Sequence, residues 1–174
     1  MAKYVVQPTD AERSFGENEV IVSKTDLKGR ITYANDVFLR VALYAERDVL
    51  GEPHSIVRHP DMPRSVFKLL WDSIEAGNEI FAYVKNMAKN GDFYWVFAHV
   101  TPSFDTDNKV IGYHSNRRRP EASAIAKIEP IYKTLLDEEN RHDDRKLGMN
   151  KAFDLLLSML KEQGVGYDEF VFSL

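Results

Sequence analysis

The sequence predicts an α+β fold: a five-stranded antiparallel sheet with short helices on one face, followed by C-terminal helices. Three observations carry this. Two short β-branched runs flank a turn near the N-terminus. Three longer strand-like runs follow one another across tight turns. The stretch between these groups is broken by Gly and Pro until a single amphipathic helix. Apolar residues make up 44% and charged residues 29% of 174, a globular balance able to bury a core without staples.

Taken in order, residues 1–18 are polar, with Pro8 and Gly16. They read as a loosely held arm with a helical turn at Asp10–Arg13. Val20–Ser23 and Arg30–Tyr33 form a hairpin about the turn Thr25–Gly29. Asn35 is placed to cap a helix carrying Val37, Phe38, Val41 and Ala42. Gly51, Pro53, Pro60 and Pro63 restrict residues 46–64 to short helical turns and loop. Pro63 suits the first position of a helix over Arg64–Ala76, which Gly77 stops. Strands are expected at Glu79–Met87, Asp92–Phe104 and Lys109–Asn116, the first two joined through Asn90-Gly91. Glu121–Glu139 has helical periodicity with a kink expected at Pro130. A charged break over Asp137–Lys146, a helix over Asn150–Gln163 and an apolar tail over Tyr167–Leu174 complete the chain. The organisation is an arm (1–18), a ligand-binding core (19–118) and a helical extension (119–174). The extension's apolar faces suit either packing back on the core or an interface, with a second copy of the chain as a homodimer or with a partner protein.

Composition narrows the function. A net charge of −4 and a pI near 5.7 argue against nucleic acid or an anionic membrane as partner. The run Arg117-Arg118-Arg119 reads as a solvated strand end. No cysteine is present, which removes disulfides, thiolate metal sites and thiol nucleophiles. No apolar run nears ~20 residues and no apolar leader opens the chain, so neither membrane insertion nor secretion is expected. His54 and His59 lie five apart in a Pro-containing loop, which is not metal-ligand spacing. No Ser/His/Asp arrangement or Gly-rich phosphate loop is evident, so an enzyme is not expected.

The stretches TDLKGRITYAND (25–36), PHSIVRHPDMP (53–63), VFKLLW (66–71), YVKNMAKNGDFYWVFAHVTP (83–102), IGYHSNRR (111–118) and IAKIEPIYKTLL (125–136) give the sequence a specific likeness. It resembles PAS domains, and within them the flavin-binding sensors of bacterial aerotaxis and energy taxis. It looks most like the standalone PAS partner of a bipartite receptor. The resemblance implies a PAS fold and a noncovalently bound FAD whose redox state sets a signal. It implies a cytoplasmic protein, peripheral through its partner, that signals to a separate membrane-anchored chemotaxis transducer. It carries the flavin contacts onto Arg58, His59 and Asp61 of the RHPD string, with His54, Asn35 and Trp71 nearby. Related receptors have a tryptophan where this chain reads Glu79-Ile80-Phe81, so that ring contact is lost, replaced by Phe81 or absent.

The residues themselves leave alternatives. Arg58 suits a forked contact to phosphate or carbonyl, or a pairing with Asp61 or Glu52 that pins the loop. His59 and His54 suit ligand hydrogen bonds or loop fixation. Asp61 suits a helix-start carboxylate, and Asn35 an N-cap. Tyr94 and Trp95 alternate on a central strand, so one faces the cavity, and Trp95 is the candidate for ring packing. A haem sensor ligated by His99 or His114, or an empty PAS interaction module, are the competing readings.

Overall fold

The structure is a computed structural model that describes residues 6–174. Residues 1–5 of the expected arm lie outside the described residues. Strand β1 (Ile21–Thr25) pairs antiparallel with β2 (Ile31–Ala34). Their turn is built by Asp26, whose carboxylate accepts from the backbone N–H of Lys28 and Arg30, and by Gly29 at φ +72°.

Asn35 caps α1 (Asp36–Ala42). Its Oδ1 accepts from Phe38 N and Val22 N, both at 3.0 Å, and its Nδ2 donates to Val20 O at 2.8 Å. One side chain thus ties the helix start to β1. The punctuated segment forms α2 (Glu46–Val49), a 3-10 turn (His54–Val57) and α3 (Arg64–Glu75). Pro63 sits one position earlier than expected, at the N-cap, because its ψ of 140° is still extended.

Strands β3 (Ile80–Met87), β4 (Phe93–Phe104) and β5 (Val110–Arg118) complete one antiparallel sheet of order β2-β1-β5-β4-β3. Helices α1 and α3 cover one face and leave a cup. Helix α4 (Ala122–Asn140) covers the other face beside β3 and β4, where Tyr132 donates from its hydroxyl to Tyr83 O at 2.7 Å. Pro130 lies inside α4, which continues as one helix on both sides of it. Helix α5 (Arg145–Gln163) packs against both α4 and α3. It starts five residues earlier than expected because Asp144 Oδ1 accepts from Lys146 N and Leu147 N. The expected tail is a short helix, α6 (Tyr167–Phe172), with Phe170 and Val171 buried. The apolar faces of the extension, including Ile128, Leu135, Leu156 and Leu160, are buried within the chain.

The arm differs from expectation. Residues 9–13 are extended and run beside the start of β4. Thr9 N donates to Gly91 O, Phe93 N to Ala11 O, and Arg13 N to Phe93 O. Arg13 Nε donates to Val41 O, and Phe15 is buried. The backbone of β4's first residues holds this segment, so no helical turn forms.

One buried contact ties the start of α3 to the extension, and a close approach inside the extension braces it. The buried Glu139 of α4 accepts from Ser65 N at 2.8 Å, capping α3 from outside its own sequence. Gly148 of α5 lies so close to this junction that a Cβ would stand 2.3 Å from Glu139 O. Alanine there gains about 1 kcal/mol of helix propensity. The clash is with backbone, which cannot rotate away, and overpacking costs about 1–3 kcal/mol. Gly148→Ala is therefore expected to lower stability, read as a reduced denaturant midpoint. An unchanged or raised midpoint would contradict this packing.

Candidate functional site

The cup is a cavity of about 280 Å³ between the sheet and α3. Its walls are mainly apolar: Val84, Ala98 and Val100 from the sheet, with Phe67, Leu70 and Ile74 from α3. Strand alternation decides who enters. Ala98 and Val100 face the cup, so Trp95, Phe97 and His99 face the opposite side.

The polar groups gather at one end. Arg117 is 4% exposed and reaches the cup from the last turn of alternation on β5, after Tyr113 and Ser115. Its Nη2 donates to Ser23 Oγ at 2.7 Å and to His54 Nε2 at 2.6 Å. Its carbon Cζ lies 5.8 Å from the centre of the Phe38 ring. Among the described residues its Nη1 has no partner, nor has Ser115 Oγ. Among the described residues no carboxylate forms an ion pair with it. Burial lowers the Arg117 pKa to about 10, so it stays charged at neutral pH. Burial and the adjacent guanidinium lower His54 to about 3, so its ring is neutral and Nε2 accepts.

The mouth carries different residues. Trp71 meets Tyr113 edge-to-face, with centroids 5.5 Å apart. Gly29 allows this position for Trp71, since a Cβ on it would stand 2.9 Å from Trp71 Cη2. Exposed Lys28 lies alongside.

The candidate residues from the sequence therefore divide. His54, Arg58 and Trp71 line the cup. Arg58 donates to Met62 O at 3.1 Å and lies over the Phe67 ring, and it pairs with neither Asp61 nor Glu52. His59, Asp61, Asn35 and Trp95 lie outside the lining. His59 is buried beside Phe93, its Nδ1 accepting from Asp61 N, and burial lowers its pKa. Asp61 pairs with Lys85 Nζ at 2.7 Å on the far side of β3. Asn35 spends its amide on the α1 cap. Trp95 packs near Tyr132 of α4, 6.3 Å between centroids. Phe81 also faces away from the cup and stacks on His99 at 4.1 Å, so it does not replace the family tryptophan inside. His99 pairs with Glu79, and His114, next to Tyr113, is on the outward side of β5. Neither histidine proposed as a haem ligand enters the cup.

Arg117, Ser115 and Ser23 were missed by sequence reasoning. The signal existed: Tyr113, Ser115 and Arg117 share one face at period two. The run of three arginines hid it, because only its first member points inward while Arg118 and Arg119 are exposed.

Comparison with known proteins gives a consistent picture. The family described as the PAS fold matches residues 31–117. The aerotaxis receptor of Escherichia coli (strain K12) is 40% identical over 127 residues, which are 73% of this chain and 25% of the receptor. A nitrogen fixation regulatory protein of Klebsiella pneumoniae is 25% identical over 99 residues, 57% of this chain and 20% of that protein. The chain thus spans about a quarter or less of these curated relatives. A solved light-oxygen-voltage domain, described with a flavin analogue, superposes with a TM-score of 0.58 at 20% identity, covering 70% of this chain and 88% of its own. The aureochrome 1 light-oxygen-voltage domain in its light state gives 0.54 at 21% identity, covering 70% and 91%. At these identities the two structures speak to the fold alone.

The buried His54 generates a pH dependence. The folded chain keeps the ring neutral down to about pH 3, whereas the unfolded chain protonates near 6.5. The unfolded state therefore binds more protons between these values, and stability falls as pH drops through the window. The slope from this group is at most about 1.4 kcal/mol per pH unit. His54→Gln keeps an acceptor and removes the titration. Chemical denaturation over that window should show a shallower loss in the variant than in the wild type; equal slopes would contradict a neutral buried His54.

Proposed function

The chain belongs to the PAS family, and from that premise we propose that it is a redox sensor holding FAD noncovalently in the cup. The observation that carries this reading is the partnerless pair Arg117 Nη1 and Ser115 Oγ, buried in an apolar cavity. Orphaned buried donors are costly, and a ligand carrying acceptors on a flat apolar body would satisfy them. A flavin ring has that chemistry: carbonyls and nitrogens on its rim, a tricyclic surface for the apolar walls. A cavity near 280 Å³ has room for a ring system and not for a whole dinucleotide. The diphosphate and adenosine would extend through the mouth, where Lys28 offers a charge.

In this reading Arg117 and Ser115 orient the ring rim, while Trp71, Phe67 and Leu70 exclude water from its face. Arg58 would stand near the ring or the chain leading from it. Bound flavin would supply reversible electron uptake. The protein's part is to couple that change to its outer face. Asn86 lines the cup, and the next residue, Lys85, faces away and pairs with Asp61 at 2.7 Å and Glu129 of α4 at 3.9 Å. One strand therefore links the cup to the helical extension. The proposed output is a separate membrane-anchored chemotaxis transducer. Among the described residues no helix is long and apolar enough to cross a membrane.

The test is the visible spectrum of the freshly purified chain, before and after dithionite, with added FAD where none is retained. Two flavin bands that bleach on reduction are expected. A single Soret band, or no binding of added FAD, would overturn the reading. Ser115→Leu provides the control, since Ser115 Oγ has no partner to lose. It should fold normally and lower FAD affinity at least about tenfold, or about 1.4 kcal/mol. Unchanged affinity would remove the cup as the site.

A further inference from the structure

We infer that Arg117 sets the redox preference of the cup, binding the reduced, negatively charged form of its ligand more tightly than the oxidised, neutral form. This rests on the reading that the ligand is a flavin. The argument starts from what surrounds the guanidinium. Ser23 and His54 accept from Nη2, and both are neutral. Phe38 offers only a ring face. Tyr94, on the same side of the sheet, has its phenol pKa pushed far up by burial and stays protonated. No carboxylate pairs with the guanidinium among the described residues, and Nη1 is left over. The inner end of the cup, where Ser23, His54 and Phe38 meet, therefore holds a whole positive charge without a counterion; Arg58, the other arginine of the lining, is half-buried and donates to Met62 O instead.

This is not how the chain treats its other buried cation. Lys85 is 9% exposed and pairs with both Asp61 and Glu129. The missing counterion at Arg117 is specific to the cavity.

The oxidised flavin ring is neutral. Taking up two electrons and one solvent proton, it gains one negative charge, the electron donor being oxidised by two electrons and no bond to the protein forming. A fixed cation in a low-dielectric cavity stabilises that charge much more than the neutral ring. Charge placed beside the ring is one of the few levers a protein has on flavin electronics. Arg117 is thus a counterion-in-waiting, completed on reduction, and its effect is a raised midpoint potential.

The experiment is a redox titration of the full FAD-loaded chain with dithionite against reference dyes. Arg117→Gln should weaken the preference for reduced over oxidised FAD by at least about tenfold, a fall of about 30 mV for a two-electron couple. Arg117→Lys keeps the charge and should stay within a few-fold of wild type. A second route leaves the arginine in place: Ser23→Asp sets a carboxylate beside Nη2 and cancels the charge. It should lower the potential in the same direction, and its carboxylate replaces the Ser23 hydroxyl as the acceptor for Nη2, so a misfolded Arg117→Gln would not spare the inference. If both neutralising variants bind FAD with an unchanged midpoint, the inference fails and the flavin reading stands. If the wild type binds no flavin, both fall together.

Discussion

The constraint on which the site depends is the burial of Arg117 without a carboxylate. Withdrawing a guanidinium from water costs several kcal/mol even after relaxation. Its hydrogen bonds to Ser23 and His54, of the charge-assisted kind, return roughly 1.5–3 kcal/mol each. The Phe38 ring adds up to about 2 kcal/mol. These terms are comparable, so the charge is tolerated with one donor still unmatched. The rest of the cup follows from it. His54 must be neutral, Ser23 must present its oxygen, and β1 must lie beside β5 to bring that oxygen within 2.7 Å. The sheet order, with the first strand paired to the last, is what assembles this cluster from residues 94 positions apart.

The RHPD string, onto which the resemblance carries flavin contacts, spreads over several structural contacts. Only Arg58 enters the cup. Its backbone bridges to Asn86, Met62 is core, His59 fixes the turn and Asp61 reaches Lys85. The string is a strap across β3 that joins the cup wall to the side where α4 lies. Glu139 closes the same circuit from the other end by capping α3. Movement of the cup wall therefore has polar connections to the extension, among them one through Lys85 and one through Ser65. A change of charge inside the cup has a physical route out that does not require the sheet to unfold.

The strands and short helices were legible because their determinants are local. Turn residues at Asp26–Gly29 and Asn90-Gly91, the Asn35 cap and the Pro and Gly punctuation each act within a few residues. What was not legible depended on tertiary partners. The arm is extended because the backbone at Gly91 and Phe93 accepts it, and nothing in residues 9–13 announces that. The tail becomes α6 because Phe170 and Val171 find a core to enter. The choice between Tyr94 and Trp95 was a two-fold ambiguity of alternation. The side-chain sizes held the answer: the face with Ala98 and Val100 leaves room for a ligand, while the face with Trp95 and Phe97 fills its own space. Arg117 was misread because a run of like charges was treated as one surface feature, although alternation sends neighbours to opposite sides.

The central claim is that the cup takes the flat end of FAD on a buried, unpaired cation and leaves the phosphate end outside. Calorimetric titration of flavin-free protein with FAD, riboflavin and ADP separates the two ends. Riboflavin should bind and compete with FAD, and ADP alone should bind weakly or not at all. Tight binding of ADP with none of riboflavin would place the phosphates on Arg117 and contradict the account.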